Sequence, residues 1–228
     1  LVDEVRGATN YLISNDTDAE VDDNTFVASL DSDGFTVGDD VVVNTSTENY
    51  ASWNWKGDGV SGGTLNEDGT VDSQVNVNTT AGFSIVTYTG TGSNDGSDNV
   101  GHGLAQAPEF YVIKNRDGTD GWNLYTAPTG TGNYMTLNNN IASTSASNGF
   151  QYNNAPSASV FTLGTWDAVN KLNDEYVAYC FHSVEGYSKI GSYDGNSDGD
   201  GPFIYCGFKP CFVFLKGTHI ASWYPFDD

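Results

Sequence analysis

Pro108-Glu109-Phe110-Tyr111-Val112-Ile113-Lys114 alternates as an extended chain does, with Phe110, Val112 and Lys114 on one face and Tyr111 and Ile113 on the other. The phrase returns as Pro210-Cys211-Phe212-Val213-Phe214-Leu215-Lys216, at an offset of 102 (210 − 108). Two strands of one design thus stand in one chain, and working outward from them uncovers a longer repeat. Phe35-Thr36-Val37-Gly38 recurs as Phe161-Thr162-Leu163-Gly164, Asn44 as Asn170, and Tyr50-Ala51-Ser52-Trp53-Asn54-Trp55 as Tyr176-Val177-Ala178-Tyr179-Cys180-Phe181, all at an offset of 126 (161 − 35, 170 − 44, 176 − 50). Gly82-Phe83-Ser84 answers Gly186-Tyr187-Ser188, Trp122 answers Trp223, and Tyr11-Leu12-Ile13-Ser14-Asn15 answers, more loosely, Tyr134-Met135-Thr136-Leu137-Asn138. The drift in offset falls in loops.

These pieces predict an all-β fold of two homologous antiparallel β-sandwich (jelly-roll-like) units that arise from an internal duplication. Tyr176 to Phe181 is apolar on both faces and reads as a central strand. Asp-Gly steps at 33–34, 68–69, 95–96, 117–118, 194–195 and 198–199 punctuate the strands and suit positive φ. Residues 82–181 form one complete unit in this reading. Residues 57–81, rich in Gly, Asn, Asp and Thr, have no counterpart and read as a linker. Residues 1–56 and 182–228 are then complementary half-units that must bury Trp53, Trp55, Phe212 and Phe214 against each other or against a neighbouring chain. Pairing within the chain is the expectation, because the linker holds the halves at high effective concentration.

Composition narrows the function. Eight Lys and Arg stand against 30 Asp and Glu, a formal charge of −22. Such a field repels phosphate backbones and anionic headgroups, which argues against nucleic acid as a partner. It suits a salty, calcium-containing medium in which self-repulsion is screened. No run approaches the ~20 apolar residues of a bilayer helix, so membrane insertion is not expected, and the first residues carry no signal-peptide pattern. Because residue 1 is Leu, the chain is expected to begin inside a longer reading frame or after processing.

Chemical motifs are few. Gly59-Val60-Ser61-Gly62-Gly63 matches a hydrolase elbow in letters, but no apolar strand precedes it and no helix pattern follows. His102, His182 and His219 lie far apart, without ligand spacing, and read as surface or hydrogen-bonded core residues. Cys180, Cys206 and Cys211 are an odd set that suits free thiols better than a disulfide framework. Asp194, Asn196 and Asp198, followed by Gly199, match the first half of a calcium loop, although the twelfth position holds Tyr205 in place of an acid. Cys206 and Cys211, with His219 the nearest third ligand, fall short of a zinc site, so apart from calcium no cofactor is expected. For a sugar ligand, Trp166 and Tyr152 are the candidate stacking aromatics, since Trp166 corresponds to Asp40 in the first copy and so is no part of the repeated core. Trp122 and Trp223, being repeated, read as packing residues.

Val5-Arg6-Gly7-Ala8-Thr9, Asp33-Gly34-Phe35-Thr36-Val37-Gly38, Trp53-Asn54-Trp55-Lys56, Gly82-Phe83-Ser84-Ile85-Val86, Gly101-His102-Gly103-Leu104, Val177-Ala178-Tyr179-Cys180-Phe181 and Val184-Glu185-Gly186-Tyr187-Ser188-Lys189 resemble a repeat-domain family of virion and tail-fibre proteins from marine tailed phages. Its units often stand beside concanavalin A-like domains. The resemblance implies a non-enzymatic structural or adhesive module on the virion surface, part of a fibre that attaches to a host receptor such as a surface glycan. It also implies other virion proteins as partners and a homotrimeric assembly. The alternatives are a purely structural head-fibre, decoration or baseplate protein, and a carbohydrate-active enzyme.

Overall fold

Tyr176 to Phe181, the stretch with no polar face, runs through the middle of the main sheet. The computed structural model describes residues 1–151 and 154–227. The chain opens with β1 (Asn10–Tyr11), β2 (Val21–Asp22), β3 (Val27–Leu30), β4 (Phe35–Val37) and the single-turn helix α1 (Val41–Asn44). The main sheet is then built from β5 (Thr64–Asn66), β6 (Ser73–Asn78) and β7 (Phe83–Thr89), followed, after β8 (Asn99–Gly101), by β9 (Phe110–Asn115), β10 (Asn123–Thr126), β11 (Asn133–Thr136) and β12 (Thr144–Ser145). After β13 (Val160–Thr162) and a second helical turn, α2 (Asp167–Asn170), β14 (Glu175–Phe181) returns to it. β15 (Phe212–Lys216) and β16 (Trp223–Asp227) form a separate hairpin.

The fold is all-β and antiparallel throughout its named sheets. The large sheet runs β12-β11-β10-β9-β14-β7-β6-β5. β14 pairs Tyr179 with Ile85 of β7 on one side and with Val112 of β9 on the other. Alternation then assigns the two cores. Tyr88, Val86, Tyr111, Ile113, Tyr176, Ala178 and Cys180 share one face, which is covered by Val100, Phe150, Phe161, Leu163 and Val169. Phe83, Ile85, Val112, Leu124, Val177 and Tyr179 share the other, closed by Leu12 and Trp122. At about 25 cal/mol per Å² of apolar surface removed from water, a sheet buried on both faces holds most of the molecule's hydrophobic stabilisation. No helix among the described residues is long and apolar enough to cross a membrane.

Residues 57–81 are not a linker. β5 and β6 extend the main sheet, with Val75 buried, and Val71 bridges to Val100. Polar residues hid this strand. Asn76 is buried, but its carboxamide accepts from Asp58 N at 2.8 Å and donates to Val60 O at 3.2 Å, so its burial leaves nothing unsatisfied. The Asp-Gly turns are present, but only Gly96 among their glycines has a positive φ, 74°.

The repeated pieces have matching local geometry. Gly38 N donates to Phe26 O and Gly164 N to Phe150 O, at 3.0 and 2.9 Å, and each glycine precedes a helical turn that ends in Asn44 or Asn170. A Cβ at Gly38 or Gly164 would stand 2.1 Å from a carbonyl oxygen, that of Thr25 or Gly149, so both close approaches require glycine. The β9–β10 and β15–β16 hairpins likewise share their register. Ile113 faces Asn123, so Lys114 and Trp122 close the first; Lys216 faces Trp223 in the second. Lys114 Nζ donates to the Asn115 and Gly118 carbonyls inside its loop, and Lys216 Nζ to those of Gly217 and His219.

The terminal halves do not combine into a second sandwich. Residues 50–55 are exposed and form no strand, and β15 pairs with β16 alone. They touch where Trp53 lies against Phe212, ring centroids 6.2 Å apart. The first half instead docks on the central sheet through a buried ionic cluster. Arg6 donates to Asp3 at 2.6 Å, to Glu20 at 2.5 Å and to the Tyr179 hydroxyl at 3.0 Å, while Arg116 also reaches Glu20 at 2.6 Å.

Two outcomes follow for stability. Arg6→Ala leaves Asp3 beneath the N-terminal segment without its cation, and removing one partner of a buried pair costs ~3–5 kcal/mol. Urea unfolding is expected to lose about that much, with amide exchange rising first in residues 1–22. His102 is buried, and burial lowers its folded pKa below the ordinary 6.5, against the opposing Ser157 carbonyl and Asp68. The unfolded chain therefore binds the proton more readily, and the neutral ring's contribution, complete above pH 6.5, is lost as pH falls through the lowered folded value. The melting temperature is expected to drop on acidification below 6.5, with a shallower slope in His102→Gln.

Candidate functional site

The residues singled out by sequence fall in three places. Trp166 immediately precedes α2 and is half-buried. Its indole lies so close to Gly149 that a Cβ there would meet Nε1 at 1.9 Å, and it stands edge-on to Tyr134 with centroids 4.9 Å apart. Most of the ring is thus packed against the first core, where Asp40, its counterpart, caps α1 through a 2.7 Å bond to Val42 N. Tyr152 lies outside the described residues.

Asp194, Asn196 and Asp198 sit in an exposed arm. Two of their side chains serve the loop's own backbone. Asn196 Oδ1 accepts from Asp198 N at 3.1 Å, and Asp198 Oδ1 from Asp200 N at 3.2 Å. Among the described residues no group of three or more His, Cys, Asp or Glu side chains converges as a metal site. Gly59 to Gly63 leads into β5 and not into a helix, so the hydrolase resemblance stays in the letters. His102 and His182 are buried and bonded to the carbonyls of Ser157 and Ser183. All three cysteines are free, and burial raises the Cys180 thiol pKa well above its ordinary value, which keeps it inert.

Two features emerge only in three dimensions. The first is a shallow cleft of about 360 Å³ lined by Asn15, Leu137, Asn138, Asn139, Asn140, Ser222 and Trp223. Two tryptophan anchors build it. Trp122 Nε1 donates to Ile13 O at 2.9 Å, which brings Asn15 to the cleft, and Trp223 Nε1 donates to Thr136 O at 2.8 Å, which brings the hairpin to it. Asn138 Oδ1 accepts from Trp122 N at 2.9 Å, and Asn139 Oδ1 from Ile141 N at 3.0 Å. These bonds engage the oxygens and leave the amide nitrogens as donors. Carboxamides beside an indole are the chemistry that holds a sugar ring, by polar contacts to hydroxyls and stacking on the apolar face. The run Asn138-Asn139-Asn140 was visible in the sequence, but nothing local announced that Asn15 and Trp223 would join it.

The second feature is the pair of open arms. Trp53 is 53% exposed, Trp55 48% and Phe203 88%. Among the described residues β15 carries β16 on one edge and no strand on the other, whereas β9, its counterpart, has β10 on one edge and β14 on the other. An aromatic strand with a free row of backbone groups is a template for another strand.

Neither a curated protein nor a solved structure matches this chain. The family model described as "Domain of unknown function (DUF7483)" matches residues 1–228. The chain therefore belongs, over its whole length, to the DUF7483 domain family.

Proposed function

We propose that this chain is a structural and adhesive module of the virion surface of a tailed phage, made of homologous units that arose by duplication and that dock in series. The observation that carries this reading is one contact made twice. Trp122, at the end of the β9–β10 hairpin, donates to Ile13 O, and Trp223, at the same place in the β15–β16 hairpin, donates to Thr136 O. Ile13 and Thr136 are themselves corresponding positions in the sequence repeat. Each Trp hairpin thus seats on the Tyr piece that precedes it, and the step can be added again in the same direction. Serial docking of like units is how extended proteins grow. The phage setting rests on the sequence resemblance, and the charge of −22 suits an exposed surface in salt. Antibodies raised against the chain are expected to label intact particles at a fibre or other surface appendage; labelling confined to lysed cells would overturn the reading.

The Asn-lined cleft favours attachment to a surface glycan over a role in packing alone. On a glycan array the chain is expected to bind a neutral or cationic sugar, because its own charge disfavours acidic ones. Asn15→Ala and Asn140→Ala are expected to weaken that binding about fivefold each, the value of a hydrogen bond of ~1 kcal/mol, without changing the melting temperature. Unchanged binding in both variants would remove the cleft from the adhesive surface.

A further inference from the structure

We propose that residues 50–55 of one copy insert as an antiparallel strand between residues 186–192 and β15 of a second copy, in the seat that β14 occupies between β7 and β9. The inference rests on the reading of the chain as a serially docking module and names what completes its open end.

The seat is described by the chain itself. β14 lies antiparallel to both neighbours, with Phe181 opposite Phe83 and Phe110, and Tyr179 opposite Ile85 and Val112. Each wall of that seat has a counterpart by sequence in the C-terminal arm, but residues 186–192 are not a strand in the single chain: Tyr187 N and Ser188 N donate to Val184 O at 3.0 and 2.9 Å, in a turn that must open to admit the donor. β15 matches β9 in sequence, in hairpin register and in its lysine-closed loop. Gly186-Tyr187-Ser188 matches Gly82-Phe83-Ser84 at the start of β7, and both glycines are left-handed, with φ of 74° and 66°. The occupant is missing. Tyr187, at the position of Phe83, is 59% exposed, and β15 has a bare edge.

The missing strand has a counterpart too. Tyr50 to Trp55 corresponds to Tyr176 to Phe181 position by position, and it is exposed and without a ladder partner. Transferring the β14 register puts Trp55 opposite Phe212 and Trp53 opposite Phe214. Inserted there, the segment gains backbone hydrogen bonds on both sides and covers the aromatics of both arms, which is strand addition to a sheet edge.

The donor comes from another copy because each chain holds its own segment out of register. Trp53 meets Phe212, two residues short of the transferred pairing. Trp55 is held over its own sheet between Phe83 and Phe181, both at 6.3 Å, and Lys56 O accepts from Asn78 at 2.9 Å. The hairpin is tied elsewhere, by Lys216 Nζ to Ile141 O at 2.8 Å and Ala221 N to Asn140 O at 3.1 Å. Zipping within one chain requires sliding two segments anchored to the same body past each other; between copies Trp55 must still lift from its own sheet and Trp53 leave Phe212, but the two bodies shift freely relative to one another. Because donor and acceptor surfaces differ, the contact is head-to-tail and open-ended.

Light scattering of the full chain tests this. The unmutated protein is expected to form oligomers that lengthen with concentration. Ala51→Pro/Trp53→Glu removes the donor, since proline cannot join a ladder hydrogen-bonded on both sides. Phe212→Glu/Phe214→Glu removes the acceptor. Each variant alone is expected to be monomeric with the melting temperature of the central sheet unchanged, and their equimolar mixture is expected to form a dimer that grows no further. A synthetic peptide of residues 48–57 is expected to dissolve the unmutated oligomers, a readout that needs no variant. A chain that stays monomeric at every concentration, or a mixture that does not dimerise, overturns the insertion. Particle labelling in the face of either result would leave the virion reading standing while strand exchange between copies falls.

Discussion

One constraint organises the molecule: β14 has no polar face. Beyond Glu175 at its start, a strand of Tyr, Val, Ala, Tyr, Cys and Phe cannot lie at an edge or against water on either side, so it needs a hydrogen-bonded neighbour at each edge and apolar cover above and below. β7 and β9 supply the edges. The cover comes from sequence-distant pieces, Phe150, Phe161 and Leu163 on one face and Leu12 and Trp122 on the other. The long-range contacts of the central unit therefore trace to one strand's demand for burial.

Several polar groups that burial carries along find partners on the segments that cover the sheet. The Tyr179 hydroxyl ends beneath the N-terminal segment, where it donates to Asp3 at 2.7 Å and accepts from Arg6. Tyr176 on the opposite face donates to the Asp167 carbonyl and accepts from Lys171 N at 2.8 Å, fastening α2 to the sheet. Asn170 at the end of α2 bonds Asp98 at 2.9 Å and receives Thr91 N at 2.9 Å. The tyrosine bonds join covering segments to the sheet, and the Asn170 bonds join α2 to the loop between β7 and β8. They act as locators: the apolar faces supply most of the free energy, and the bonds choose which segment lies where.

The tryptophans show how one device serves core and surface. Trp122 is wholly buried and clamps the segment that follows β1 to the central sheet; Trp223 makes the same bond at the other end of the chain but remains half-exposed at the rim of the Asn-lined cleft. The difference lies in what covers them. Trp122 is flanked by a finished sheet and stacks near Tyr179 at 6.3 Å, whereas Trp223 has Phe214 at 4.7 Å and no sheet beyond. An unfinished copy of a core contact becomes a surface with unsatisfied aromatic area.

The sequence by itself determined the strand character of β7, β9, β14 and β15, the division of Phe110, Val112 and Lys114 from Tyr111 and Ile113, the central place of Tyr176 to Phe181, and the packing role of Trp122. Each of these depends on a period of two and on burial of a large apolar side chain, both local properties of the chain. Only the tertiary structure decided the rest. Ser73 to Asn78 is a strand because β7 offers an edge and because Asn76 finds the backbone of residues 58 and 60, neither of which composition reveals. Tyr50 to Trp55 aligns with β14, though Ser52 and Asn54 make one of its faces polar, and it is not a strand, since alternation permits a ladder but a ladder exists only where a partner edge stands in register. Trp166 looked like a free aromatic and is wedged against Gly149, while Asn15, Asn138 and Trp223 looked unrelated and share a cleft. Those outcomes depend on which distant segments meet, and a linear pattern carries no record of that.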